Sequence, residues 1–289
     1  VALVFLDQPV TSGSFPDLRR IRIAPPRAWP HLPLRETWNY RELLYFFVWR
    51  DIKVRYKQTI IGVLWVALQP LASMGVFTLF FGRLAKLPSD GLPYPVFYFA
   101  ALVPWTYFAA ALSSTTSVVV ENQRIITKVY FPRLVLPLSS VCSSLVDFGI
   151  TFAALILMVV GYGMRPSQRV VWLPFFLILA VATALAVGLW LAALNALYRD
   201  VRYVTPFLVQ FWMLASPVAY PASLVPAKWQ WVYGLNPLAG VIEGFRWALT
   251  GHGQPPGPLL FTSSLAVFVL LVGGVLFFQR MEGVIADVV

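Results

Sequence analysis

Gly91–Val120 reads GLPYPVFYFAALVPWTYFAAALSSTTSVVV, 30 residues without one Asp, Glu, Lys or Arg. A helix needs about 20 consecutive, mostly apolar residues to cross the hydrocarbon core of a bilayer. This stretch exceeds that length, and five other intervals resemble it. Gln58–Gly82, Val170–Tyr198, Tyr203–Ala227 and Trp247–Gln279 also lack these four residue types, and Leu134–Met164 carries only Asp147. The composition agrees: 59% of residues are hydrophobic and 12% charged, against about 25% charged in a soluble domain. A soluble fold of 289 residues has no interior that hides six such helices. The fold class is therefore an all-α integral membrane protein. Six transmembrane helices are expected at about 58–82, 94–118, 135–161, 172–197, 203–221 and 258–279.

The placement of charge explains the net +10. Ten of the 22 Lys and Arg precede Gln58, and no basic stripe with interleaved aromatics follows, so no nucleic-acid partner is expected. The N-terminal segment, the Glu121–Arg133 loop, the Arg199–Arg202 loop and the C-terminus together hold 16 basic residues, and the three alternate loops hold six. Basic residues are retained on the cytoplasmic side, which predicts a multi-pass protein with both termini cytoplasmic. The single cysteine, Cys142, falls in a span, and with only His31 and His252 a structural zinc site is short of ligands. No GxxxxGK[ST], HExxH, GxSxG or SxxK signature occurs, so neither a P-loop nor a familiar catalytic motif is present.

Residues 1–35 are rich in Pro and Arg and read as a cytoplasmic tail, distinct from a transmembrane domain over 36–289. Tyr40–Trp49 is apolar and aromatic but too short to span, so a helix at the membrane surface is expected over about 40–57. Glu121–Phe131 reads as either a short cytoplasmic helix stopped by Pro132 or a solvated loop. Between the last two spans, Asn236-Pro237 has the form of a helix N-cap with proline at the first helical position, and Gly251 that of a C-cap. A helix between them is about 21 Å long, short of a bilayer core. With Ala227–Gly234 it forms either two re-entrant helices or a helical surface loop. Glu243 and Arg246 are i,i+3 neighbours placed to pair. Asp147 is the one carboxylate within a span, with a functional role or a hydrogen-bonded structural one equally open. Aromatics such as Trp65, Tyr94, Tyr98, Trp105, Tyr107, Trp172, Trp190, Trp229 and Trp231 near span ends fit interfacial belts or faces that pack on sugar rings.

From Arg50 to Leu71, RDIKVRYKQTIIGVLWVALQPL, the chain resembles the permeases of type-2 ABC exporters, in the branch that exports polysaccharides such as O-antigen and teichoic acid. The resemblance continues through KVYFPRLVLPL (Lys128–Leu138), RDVRY (Arg199–Tyr203), NPLAGVIEGFRWALTG (Asn236–Gly251) and Phe278, Glu282, Ala286 and Asp287 near the C-terminus. It covers about residue 36 to the end. It implies a non-enzymatic transport subunit of a bacterial plasma (inner) membrane that pairs with a second copy of itself and two copies of a cytoplasmic P-loop ATPase. No cofactor is expected on this chain, since ATP and Mg belong to the ATPase. The cargo implied is a lipid-linked glycan, carried on undecaprenyl. Glu121, Arg124, Lys128, Tyr130 and Arg133 become the expected ATPase-coupling contacts. Arg50, Lys53, Arg55 and Lys57 are expected to meet the lipid headgroup. Asn236, Pro237, Glu243 and Arg246 belong to an expected external gate. Two other readings are a type-2 exporter of a drug or lipid, and a membrane-embedded glycosyl or acyl transferase built on Asp147, Glu243 or His252.

Overall fold

The computed structural model describes residues 34–57, 62–164, 168–252, 255 and 257–288. The tail expected over 1–35 lies almost wholly outside the described residues, as does the start of the first expected span. Every regular element among the described residues is helical. A short α1 (Leu34–Asn39) leads into α2 (Arg41–Tyr56), a helix over nearly the range 40–57 read from the sequence. Tyr45, Phe46, Trp49 and Val54 of α2 are exposed, as suits a helix lying against lipid.

α3 (Gly62–Phe77) runs on through π-helical turns over Thr78–Leu84. α4 (Tyr94–Glu121) is followed by the single turn α5 (Gln123–Ile126). α6 (Val135–Ser143) and α7 (Leu145–Gly161) abut at Ser144 and make one stretch of 27 residues. α8 (Leu173–Leu197) follows a 3-10 turn at Gln168–Trp172. α9 (Val201–Ala215), α10 (Gln230–Tyr233), α11 (Pro237–Thr250) and α12 (Gly257–Val288) complete the order.

Five stretches among the described residues are long and apolar enough to cross a membrane: Gly62–Leu84, Tyr94–Glu121, Val135–Gly161, Gln168–Leu197 and Gly257–Gly283. The span expected at about 203–221 is a shorter helix. α9 has 15 residues, about 22 Å at 1.5 Å each. It stops at Ser216, which is extended at φ −105 and ψ 152. Pro217 follows, and its ring disfavours helical backbone in the residue before it.

α4 is the centre of the bundle: 78% of its most apolar window is buried, against 6% for the α3 stretch. It packs on α3, α6, α7, α8, α9 and α11, and α12 lies along α8. Lipid tails are as apolar as leucine, so close packing rather than hydrophobic transfer holds such helices together. Gly188 on α8 meets that demand: a Cβ there would sit 2.7 Å from Thr115 Cγ2 on α4. The aromatics Tyr94, Tyr98, Trp105 and Tyr107 of α4 are buried in this core, not in an interfacial belt, whereas Trp65, Trp172, Trp229 and Trp231 are exposed. A second apolar cluster of Phe47, Val119, Phe131, Val135, Leu189 and Phe278 joins α2 to the Glu121 end of α4.

Candidate functional site

The basic residues expected to meet a headgroup divide into two pairs. Arg50 is fixed: it bonds Asp51 Oδ1 at 2.8 Å and Asn122 Oδ1 at 2.8 Å, with its guanidinium 4.8 Å from the Phe47 ring centre. Arg55 pairs with Asp147 across to α7. Lys53 and Lys57 are exposed. The neighbouring Tyr56 hydroxyl donates to the other Asp147 oxygen, and burial, reinforced by that carboxylate, pushes its pKa above the ordinary tyrosine range. Tyr56 therefore remains a proton donor at physiological pH. Asp147, left open by the sequence, is a doubly bonded counter-ion. A lone charge in a 31-residue apolar interval demanded a partner, yet nothing local to Asp147 pointed to α2.

The loop after α4 presents Glu121, Arg124, Lys128 and Tyr130 to the outside. The helix expected over Glu121–Phe131 is reduced to the one turn of α5. Asn122 causes the break. Its backbone leaves the helix at φ −102 and ψ 15, and its side chain donates to Val118 O at 2.8 Å, competing with helix continuation. Ile125 and Ile126 pack inward, but Val129 is exposed and does not share their side. Arg133 differs from the other expected coupling residues: it faces inward to α12. Its side chain bonds Glu282 O, and its backbone N–H donates to Glu282 Oε1 at 3.3 Å. Phe131 packs 5.7 Å from Phe47. The loop is thus braced by α2 through Asn122 and Phe131 and by α12 through Arg133.

At the opposite end of α4, the local cap readings match the structure. Asn236 caps α11 by accepting from Leu238 N–H at 3.1 Å, and Gly251 closes it with φ 70. The same Asn236 Oδ1 accepts from Trp212 Nε1 at 2.9 Å, and its amide donates to Ala215 O and Ser216 Oγ. Pro237 occupies the first helical position. Ala227–Trp229 and α10 form the first short helical piece, and α11 is buried over most of its length among α4, α8 and α12. Protein therefore encloses α11 on most sides.

Glu243 and Arg246 do pair, at 2.9 Å, with Arg246 only 3% exposed. Arg246 further donates to Phe97 O at 3.3 Å and to Pro217 O at 2.8 Å, and lies 3.7 Å from the Phe97 ring centre. Glu243 accepts from Ala222 N–H at 2.7 Å. Nothing in the residues around the pair marks Phe97, Pro217 or Ala222 as partners. The pair closes off carbonyls freed by the break after α9. Beside it, Trp212, Tyr220, Trp229, Tyr233 and Asn236 line an open groove.

The pattern of the ABC-2 type transporter family matches residues 42–250. The O-antigen export system permease protein RfbA of Myxococcus xanthus is 30% identical over 253 residues, 86% of this chain and 96% of that protein. The protein of the same name from Klebsiella pneumoniae is 27% identical over 248 residues, 86% of this chain and 95% of its own. The polysialic acid transport protein KpsM of Escherichia coli is 23% identical over 245 residues, 82% of this chain and 93% of that protein. A helical bundle with membrane-crossing lengths, a braced loop after its central helix and near end-to-end similarity to these permeases lead to one conclusion: the chain belongs to the ABC-2 type transporter family.

Proposed function

We propose that this chain is the permease half of an ATP-driven exporter that moves an undecaprenyl-linked polysaccharide outward across a bacterial plasma membrane. Two copies pair with two cytoplasmic P-loop ATPases, and both termini lie on the cytoplasmic side. The observation that carries the reading is the Glu121–Arg133 loop. Four exposed polar side chains stand on a frame fixed by Arg50–Asn122 and Arg133–Glu282. A push on such a loop is transmitted to α2, α4 and α12 together instead of dissipating in a mobile connection.

The cargo class follows from the relatives, whose names specify O-antigen and polysialic acid. The groove of Trp212, Tyr220, Trp229 and Tyr233 supports it, since aromatic faces with polar tips suit sugar rings. Lys53 and Lys57, exposed at the end of α2, offer charge to an anionic headgroup. A transferase reading lacks comparable support. Asp147 and Glu243 are engaged in ion pairs, and His252 Nδ1 lies 2.9 Å from the Thr250 carbonyl.

The test is co-expression and co-purification with a P-loop ATPase from the same source, followed by ATP hydrolysis with and without lipid-linked glycan. The expected result is a stable complex whose hydrolysis the glycan stimulates. A chain that associates with no ATPase overturns the reading.

A further inference from the structure

Asp147 lies twelve residues beyond Val135, where α6 begins, about 18 Å along the helix at 1.5 Å per residue. α2 climbs beside it. Phe47 packs on Phe131 just before α6, and Arg55 and Tyr56 reach Asp147 in the first turn of α7. Each Asp147 oxygen takes one donor from α2: Oδ2 from the Arg55 guanidinium and Oδ1 from the Tyr56 hydroxyl. The ion pair is not sealed, because the Arg55 side chain is 33% exposed and that of Asp147 18%.

A guanidinium and a phenol converging on two oxygens of one anionic group also match a phosphate. Lys53 and Lys57 stand exposed within two residues of that donor pair. We propose that Asp147 is an internal stand-in for phosphate. It holds the Arg55–Tyr56 donors in the resting protein, and an arriving phosphate or pyrophosphate group takes its place, releasing the end of α2 from α7. The inference rests on the headgroup reading of α2 given above and adds to it Tyr56, Asp147 and a consequence of binding. Because Arg50 ties α2 to Asn122 at the root of the coupling loop, release of α2 is felt at the ATPase face.

Competition makes a signed prediction, since two anions that exclude one another at a shared site each weaken the other's binding. The full complex with its ATPase, in phosphatidylcholine nanodiscs, is titrated with undecaprenyl pyrophosphate and separately with inorganic pyrophosphate. Asp147→Asn is expected to tighten pyrophosphate binding about five- to tenfold, the effect of losing a part-exposed competing charge of about 1 kcal/mol or slightly more. The paired variant Lys53→Ala, Lys57→Ala is expected to weaken it. Tighter binding of only the lipid assigns the site to a lipid headgroup. Equal tightening of both probes assigns it to the phosphate chemistry alone, with Asp147 the competitor in either case.

Unchanged or weaker binding by Asp147→Asn, with the lysine variant still weakened, overturns the stand-in role and leaves the headgroup reading intact. Indifference of the lysine variant overturns the headgroup reading itself. Should Asp147→Asn accumulate poorly, the exchange Arg55→Asp with Asp147→Arg keeps the pair while removing the cation from α2. It is expected to lose at least tenfold in affinity. Wild-type affinity in the exchange variant marks the pair as structural only and overturns the proposal.

Discussion

Arg246 directs its guanidinium to Glu243 and to the carbonyls of Phe97, Pro217 and Val218, all within a buried pocket. Removing it leaves the part-buried Glu243 carboxylate without its counter-ion and several buried carbonyls without a donor, a loss of about 3 kcal/mol, the lower end for a broken buried pair. Arg246→Met is therefore expected to lower the thermal unfolding midpoint of the detergent-solubilised protein sharply. Asn236→Ala removes the α11 cap and the acceptor of Trp212, and is expected to cost about 1–2 kcal/mol in the same measurement. Much of this was readable, because caps and i,i+3 pairs are local. Asn236, Pro237, Gly251 and the Glu243–Arg246 pair could be read off neighbouring residues. The carbonyls that complete the Arg246 site come from α4 and from the break after α9, more than twenty residues away in sequence, and no local pattern encodes them. Asp147 is the same case from the other side: its need for a partner was legible, and the partner's position was not.

The loop after α4 and the helix α9 show what hydropathy misses in whole elements. Hydropathy registers an uncharged interval over Tyr203–Ala227 but is blind to Ser216–Pro217, which ends α9 at 15 residues. It likewise passes over Asn122, whose side chain turns the chain out of α4 and shortens α5 to one turn. Helix contacts follow a different logic. Gly188 is small because α8 must approach Thr115, and Gly188→Val is expected to force the two helices apart at about 1–3 kcal/mol, the range for overpacking. Chemical or thermal unfolding of the solubilised chain reads that loss. The exposed part of the loop carries no such packing. Arg124→Glu combined with Lys128→Glu is expected to leave the unfolding free energy within about 0.5 kcal/mol of the original, as exposed substitutions generally do. The same pair is expected to abolish capture of the ATPase in a pull-down. A variant that binds ATPase normally would remove this loop from the coupling face.

Across the described residues, burial is uneven, as expected of one half of the proposed exporter. α4 is enclosed, whereas α3 presents Val63, Leu64, Trp65 and Leu68, and α9 presents Tyr203, Phe207, Phe211 and Leu214, to the outside. Lipid or a second copy of the chain is the expected cover for such surfaces. In the proposed exporter, the braced loop at one end and the aromatic groove at the other are the two ends of the path. The account's central claim is that this chain moves a lipid-linked polysaccharide when ATP is hydrolysed by a partner. Its most direct test is a vesicle experiment in which the chain and its ATPase are reconstituted with the glycolipid on the ATPase side. The account predicts ATP-dependent appearance of glycan on the opposite side, lost with Arg124→Glu, Lys128→Glu and with an ATPase unable to hydrolyse ATP. Glycan that stays on its original side while the intact complex hydrolyses ATP would contradict it.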